Sequence, residues 1–493
     1  MRGFNAFSGL HGISASHCCN WEFGRFYLMS KTFTLIFAML LAGCSQMPAF
    51  QRPMPPVPNV WPGHVILDQG NLTKLDAAKT HWRSFFTDPQ LQVLIAAALE
   101  HNRDLRIAIA RVQEARAQYG IARADLSPSV SLLGSGNFAR TPGDLSSSGA
   151  PSTSERYDLS LAAVSFELDF WGRIAGLTEA ARVSYLATEE ARRSVYLSLV
   201  ADVASAYFTL LQMNELTVLA RATVDLHEQS LALIAKGRDL GGTYDFEYQQ
   251  ALGLLESSRA SLDGVEHQST VATNRINFLI GNTPLEIPVD GNLLGQSLDV
   301  ELAPGLPADV LLVRPDVIAA EQRLLAAHAN IGAARAAFLP KILLTASLGA
   351  ASQGLVGLFA GGAWSFQPVI SLPLFDGGRI AAAVDIAEAR KVIAVAEYER
   401  SIQLAFREVA DLLSSRISLA RQWRASNANT KAQESRLRVA QGRYEAGLAS
   451  YLEVLAGQRE LIAAQQMGAQ VRRAQLESIA QLYKALGGGE SGV

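Results

Sequence analysis

The sequence predicts a mixed α and β membrane protein made of two copies of one unit, and three observations predict it. Segments far apart in the chain repeat in register. Each copy holds an apolar periodicity of threes and fours that runs well beyond an ordinary helix. Each copy also holds two β-type runs, one of which alternates apolar with polar residues as a wall between lipid and water requires. With 493 residues, 49% hydrophobic and 18% charged, the chain can bury a large core and is not a disordered polymer. Its net charge of −3 offers no general attraction to phosphates, so no nucleic-acid partner is expected.

The elements follow in chain order. Met29-Ser30-Lys31 is a short basic region, and the apolar stretch behind it, Thr32 to Leu41, is well short of the roughly 20 residues that a spanning helix needs. This has the form of a signal peptide, 29–43, which makes residues 1–28 an overcalled start. It ends in Leu41-Ala42-Gly43-Cys44, which resembles the bacterial lipobox, where the Cys thiol is acylated and becomes the first residue of the mature protein. A covalent lipid at Cys44 is therefore expected, and no other cofactor. Cleavage removes Arg2, Arg25, Lys31 and Glu22, leaving a mature charge of −5. Ser45, in place of the Asp that marks retention in the inner membrane, directs the expectation to the outer membrane. Cys18 and Cys19 are removed with the leader, so neither a disulfide framework nor a cysteine metal site is available.

A linker at 44–88 leads into a first repeat, 89–281. A connector at 282–308, a second repeat at 309–487 and a tail at 488–493 complete the chain. The repeat shows where Arg111 to Pro128 aligns with Arg323 to Pro340, sharing Gly120 with Gly332 and Ala122-Arg123-Ala124 with Ala334-Arg335-Ala336. Gly172-Arg173-Ile174-Ala175 matches Gly378-Arg379-Ile380-Ala381, and Lys236-Gly237-Arg238 matches Gln441-Gly442-Arg443. In each copy a helix (89–126; 315–338) stops at a proline that cannot continue it. Two β runs follow (129–140 and 157–170; 341–352 and 363–375), then a very long helix (173–236; 379–441), a Gly-containing turn and a shorter helix (246–280; 451–485).

Along the first long helix, Tyr196, Leu199, Val203, Ala206, Leu210, Met213, Thr217, Ala220 and Val224 keep coiled-coil spacing. Val200, Ala204, Tyr207, Leu211 and Val218 make a second stripe beside it, so this helix needs neighbours on two sides, as in a wall of helices. In the second β run, Val164, Phe166, Leu168 and Phe170 alternate with Ser165, Glu167 and Asp169, read as an apolar face toward lipid and lumen-facing charges. The linking stretch from Thr141 to Ser154 reads as a surface loop. Four strands leave open edges, which a membrane forbids, so closure requires two chains or three.

Five separated motifs carry a resemblance. They are Arg314-Pro315-Asp316-Val317-Ile318-Ala319-Ala320-Glu321, Ile331-Gly332-Ala333-Ala334-Arg335, Leu374-Phe375-Asp376-Gly377-Gly378-Arg379, Arg443-Tyr444-Glu445-Ala446-Gly447 and Tyr451-Leu452-Glu453-Val454-Leu455. Together with the lipobox they resemble the TolC-type outer-membrane efflux factors, in the NodT-like or OprM-like lipoprotein subgroup. The resemblance implies a homotrimer whose four strands per chain close a 12-stranded barrel in the outer membrane, continued through the periplasm by an α-helical coiled-coil barrel. Residues 282–308 and the C-terminal tail are its candidates for a mixed equatorial belt. It implies a passive conduit for drugs or other small molecules, without catalytic residues, joined to a periplasmic adaptor and an inner-membrane pump. The other reading is a lipid-anchored periplasmic scaffold without a pore.

Both Gly-containing turns fall far from the strands, so Gly241, Gly242, Thr243, Gly447 and Leu448 are the expected adaptor-contacting tips. The resemblance also implies a gate, in which Tyr444 bonds the acid Glu247 and Glu453 rings the closed aperture. Ala449 and Ala456 depart from the family pattern, where an Arg and a second ring acid occur. Other chemistry is poorly supported. The eight His residues show no metal-ligand spacing, and the glycines at 134 and 136 lie in a strand with no helix behind them to hold a pyrophosphate.

Overall fold

The computed structural model describes residues 49–61, 80–240, 245–281, 292–296 and 311–489. Helix α1 (Trp82–Phe85) is followed by α2 (Pro89–His101), α3 (Arg103–Ala124), β1 (Val130–Thr141), β2 (Ser152–Leu168), α4 (Arg173–Asp239) and α5 (Asp245–Ile280). The second copy contributes α6 (Pro315–Ala336), β3 (Lys341–Ser352), β4 (Gly362–Ser371), α7 (Arg379–Glu445) and α8 (Tyr451–Ala485). The order helix, strand, strand, long helix, shorter helix thus occurs twice. The long helices α4 and α7 have 67 residues each, about 100 Å at the usual rise per residue. Contacts divide the chain into two units that do not follow the repeats. One unit contains residues 124–177 and 329–386, the other 50–123, 178–328 and 387–489, so each draws on both copies.

The first unit is an antiparallel sheet in the order β1-β2-β3-β4. Gly349 allows its central pair to form: a Cβ there would lie 2.1 Å from the Leu159 carbonyl oxygen, an approach only glycine permits. The loop before β2 is shorter than expected, 142–151, and β2 ends at Leu168 and β4 at Ser371. The expected alternation fails within β2. Pairing passes from Ala163↔Ala346 to Phe166↔Leu344, leaving Val164 and Ser165 opposite the single residue Thr345, with Ser165 at φ 54°. This bulge puts Phe166 and Leu168 on the face of Leu161 and Ala163, and not on that of Val164.

Glu167 and Asp169 are also corrected, because neither is a free lumen charge. Glu167 holds Arg173 through two bonds of 2.8 and 2.7 Å, and Asp169 accepts from the Ala175 N–H at 2.7 Å at the start of α4. In the second copy Asp376 accepts from Ile380 and Gly378 N–H groups at 2.8 and 2.9 Å at the start of α7. The Ile380 bond leads the causes that hold the Asp376 carboxyl below its usual range.

The second unit packs helices. Val200, Ala204, Tyr207 and Leu211 of α4 are essentially inaccessible, whereas Val218 is 69% exposed, so the second stripe ends at Leu211. By length and composition α4 could cross a membrane, but 61% of its most apolar window is buried in the structure. It is a core helix. The Tyr207 hydroxyl donates to Asp88 at 2.6 Å, and Asp88 also caps α2 at the Gln90 N–H (2.8 Å) and accepts from Gln296 (2.6 Å). Burial, and then this bond, push the Tyr207 phenol well above its ordinary range. Gln296 and the fully buried Leu293 belong to 292–296, the described part of the expected connector; the rest of 282–308 lies outside the described residues. Near the C-terminus, Tyr483 stacks on Phe85 at 4.5 Å and donates to the Thr80 carbonyl at 2.8 Å.

The helix expected over 89–126 is broken at Asn102, which takes an extended conformation with ψ 132°. Its Oδ1 accepts from the Leu105 N–H at 2.9 Å, and its Nδ2 donates 2.7 Å to the Leu279 carbonyl near the end of α5. Arg314 stands at the equivalent place in the second copy. It donates 2.7 Å to the Ala485 carbonyl at the end of α8, and to Asp316 (3.0 and 2.8 Å) and Glu408 (2.7 Å). Arg314 is 5% exposed. Burial works against its charge, but the bonds to Asp316 and Glu408 prevail and hold its pKa above the ordinary value. Each copy therefore ties its closing helix to the start of its first long segment through one side chain.

Candidate functional site

Two places in the fold can carry function, and the first is the sheet. Register assigns Val130, Leu132, Gly134, Gly136 and Phe138 of β1 to one face. Tyr157, Leu159, Leu161, Ala163, Phe166 and Leu168 of β2 share it. So do Ile342, Leu344, Ala346, Leu348 and Ala350 of β3, and Trp364, Phe366, Pro368 and Ile370 of β4. This face turns polar at its loop end, where Glu155 pairs with Phe138 and Ser352 with Tyr157; from Leu159 to Leu168 and across their partners no polar side chain interrupts it, and Leu132, Leu348, Trp364 and Ile370 are each more than two-thirds exposed. Phe138 meets Tyr157 edge-on at 5.4 Å near the 142–151 loop, where an aromatic girdle would lie.

The opposite face is mainly polar, with Ser131, Ser135 and Asn137, then Arg156, Asp158 and Ser160, then Lys341, Thr345 and Ser347, then Ser365, Gln367 and Ser371, and with Leu133, Ala162, Leu343 and Val369 among them. Its polar groups partly satisfy one another: Arg156 forks onto Asp158 at 2.8 Å, and Ser347 bonds Ser365 at 2.7 Å. An apolar outer face and a polar inner one are what a strand wall between lipid and a water-filled lumen needs. The outward edges of β1 and β4 have no strand neighbour among the described residues, so this wall is an arc awaiting closure.

The second place lies at the far ends of the long helices. α7 ends in a left-handed turn at Gly447 (φ 70°), where the Leu448 N–H donates to the Arg443 carbonyl at 2.8 Å and the Gly447 N–H to the Tyr444 carbonyl at 2.9 Å. Such a cap needs glycine, so Gly447 is first of all the turn residue here. Leu448 beside it is 72% exposed. The other expected tip residues, Gly241, Gly242 and Thr243, lie outside the described residues.

Glu247 and Tyr444 are brought together, since both line one cavity of about 500 Å³ between α4, α5, α7 and α8. They do not bond each other in this arrangement. The Tyr444 ring packs at 5.3 Å on Tyr451, whose hydroxyl meets Ser230, and the Glu247 Oε2 is buried with no hydrogen-bond partner. Glu453 is paired with Arg443 at 3.2 Å, and Arg443 also reaches the Leu448 carbonyl at 3.5 Å. Arg238 makes the equivalent contact in the first copy, its guanidinium 3.9 Å from the Tyr248 ring.

Sequence reasoning missed Arg443, Tyr451 and Ser230. The signal for Arg443 was present, because it aligns with Arg238 across the repeat. Cys44 lies outside the described residues.

The sequence pattern of the family described as Outer membrane efflux protein matches residues 94–282 and 306–488. The solvent efflux pump outer membrane protein SrpC of Pseudomonas putida is 42% identical over 465 residues, covering 94% of this chain and 98% of SrpC. The outer membrane protein OprJ of Pseudomonas aeruginosa is 40% identical over 92% of this chain and 95% of its own. Among solved structures, the open state of the Neisseria gonorrhoeae MtrE outer membrane channel superposes with a TM-score of 0.82 at 34% identity, over 90% of this chain and 98% of MtrE.

Proposed function

This chain belongs to the outer membrane efflux protein family, and from that premise we propose that three copies close their four-stranded arcs into one 12-stranded barrel. The protein is the outer-membrane channel component of an efflux system and extends into the periplasm. The observation that carries the trimer is the sheet itself. It has an unbroken exposed apolar face, a polar opposite face and two open edges, and four strands are too few to close alone. Small organic molecules are the proposed cargo, a reading supported by the name of SrpC, which belongs to a solvent efflux pump. A periplasmic adaptor meeting the tips, and an inner-membrane pump driving the flow, complete the proposed assembly.

Purified protein in planar bilayers is expected to give discrete conductance steps, and detergent electrophoresis a heat-resistant band of trimer mass. Liposome binding without conductance would support the scaffold reading instead.

The proposed lipid at Cys44 is tested by the mass of the mature N-terminus. Acyl chains on Cys44 are expected, with processing blocked in Cys44→Ala; an intact bond between residues 43 and 44 in the mature membrane protein would refute it.

We place the gate at Tyr444, Glu247 and Glu453. In the arrangement described above the Tyr444–Glu247 latch is undone, while Glu453 is held by Arg443. A latch closed in another state is worth about 1.5 to 3 kcal/mol per chain as a charge-assisted bond, repeated three times. Tyr444→Phe with Glu247→Gln is therefore expected to favour the open state and raise mean conductance. Glu453→Gln is expected to lower cation selectivity, since it removes three carboxylates around one axis and leaves the three Arg443 guanidinium groups without their partners. Unchanged conductance in the first variant and unchanged selectivity in the second would place the gate elsewhere.

A further inference from the structure

The cavity at the helix ends has a composition that its gating role does not explain. Of its twelve lining residues only Glu247 is charged, and three, Phe246, Tyr444 and Tyr451, bring aromatic rings. Glu247 makes no hydrogen bond or ion pair among the described residues, and its Oε2 is buried. It is the third residue of α5, in the first turn of that helix. The nearby guanidinium groups are already engaged. Arg238 faces Asp239, Asp245 and the Tyr248 ring, and Arg443 is held by Glu453. A carboxylate oxygen buried beside aromatic rings without a partner has given up hydration that no protein group replaces, which is a cost.

The chemistry that relieves this cost is a cation able to enter an apolar space without hydrogen-bond acceptors of its own, attracted by ring faces as well as by the carboxylate. We propose that this cavity is a binding site for a small quaternary ammonium ion. The site lies within one chain, so the proposal does not depend on trimer closure or conductance.

The test titrates benzyltrimethylammonium chloride into the full-length purified protein by calorimetry at constant ionic strength, with benzyl alcohol as the uncharged companion. Saturable binding at one site per chain is expected. Glu247→Gln should weaken it at least about tenfold, the loss of one close charge pair. Tyr444→Leu, which removes a ring face, should also weaken it. Helix content by circular dichroism confirms that each variant is folded. Absence of saturable binding, equal binding by Glu247→Gln, or equally tight binding of benzyl alcohol would each overturn the proposal.

Discussion

Replacing Arg314 by methionine is expected to cost about 3 kcal/mol per chain, at the lower end of what removing one partner from a buried ion pair costs. The lower end applies because Asp316 and Glu408 keep 39% and 32% of their side-chain exposure and regain some water when abandoned. The Ala485 carbonyl, which accepts from Arg314 at 2.7 Å, loses its partner outright. Lysine is not expected to rescue the site, because one ammonium cannot reproduce a planar fork that serves a carbonyl and two carboxylates at once. Thermal denaturation of the purified protein in detergent checks this, with Glu408→Gln completing a double-mutant cycle. The double variant should be more stable than the sum of the single losses requires, since it abandons one fewer charge. Equal transition temperatures for the parent and Arg314→Met would show that the tie between α6, α7 and α8 is incidental.

The second large effect separates two neighbouring residues of one strand. Leu348 pairs with Leu161 and Trp364 on the apolar face, and Ser347 points to the polar one. Leu348→Arg is expected to cost about 2 to 4 kcal/mol per chain near the membrane midplane, three times over in a trimer, and to abolish assembly in the outer membrane. Ser347→Arg should insert and conduct, with cation conductance lowered by the added positive charge in the lumen. Outer-membrane fractionation reads the first result and bilayer recording the second. If both variants assemble equally well, or if Ser347→Arg is the one that fails, the assignment of faces is wrong.

Much of the element order was legible because it depends on local rules. Proline ended helices before β1 and β3, glycine marked the turn after α7, and the heptad-like spacing of α4 required long neighbours. The break at Asn102 was not legible. Its helical periodicity continues through the position, and what breaks it is a partner 177 residues away, the Leu279 carbonyl. The face assignment in β2 failed for a similar reason. Period-two reading assumes one residue per step, and only the pairing with β3 shows that Val164 and Ser165 share one step opposite Thr345.

The candidate gate divides in the same way. Tyr444, Glu247 and Glu453 were named from motif resemblance, and the fold does bring Tyr444 and Glu247 to one cavity. Spacing along the chain could not show that Glu247 stands there without a partner, nor that Arg443 takes Glu453. Both depend on which side chains four separate helices turn toward one another.

By itself the sequence determined the two copies and the kind and order of their elements, because these follow from nearest-neighbour sterics, capping and periodicity. Only the tertiary structure decided that each compact unit takes parts of both copies, that one sheet face is apolar across all four strands, and that Asn102 and Arg314 tie the two closing helices. Those features arise from contacts between residues more than 150 positions apart, such as Asn102 with Leu279 and Arg314 with Ala485, where the choice among partners is made by packing and by the cost of leaving a buried polar group unpaired.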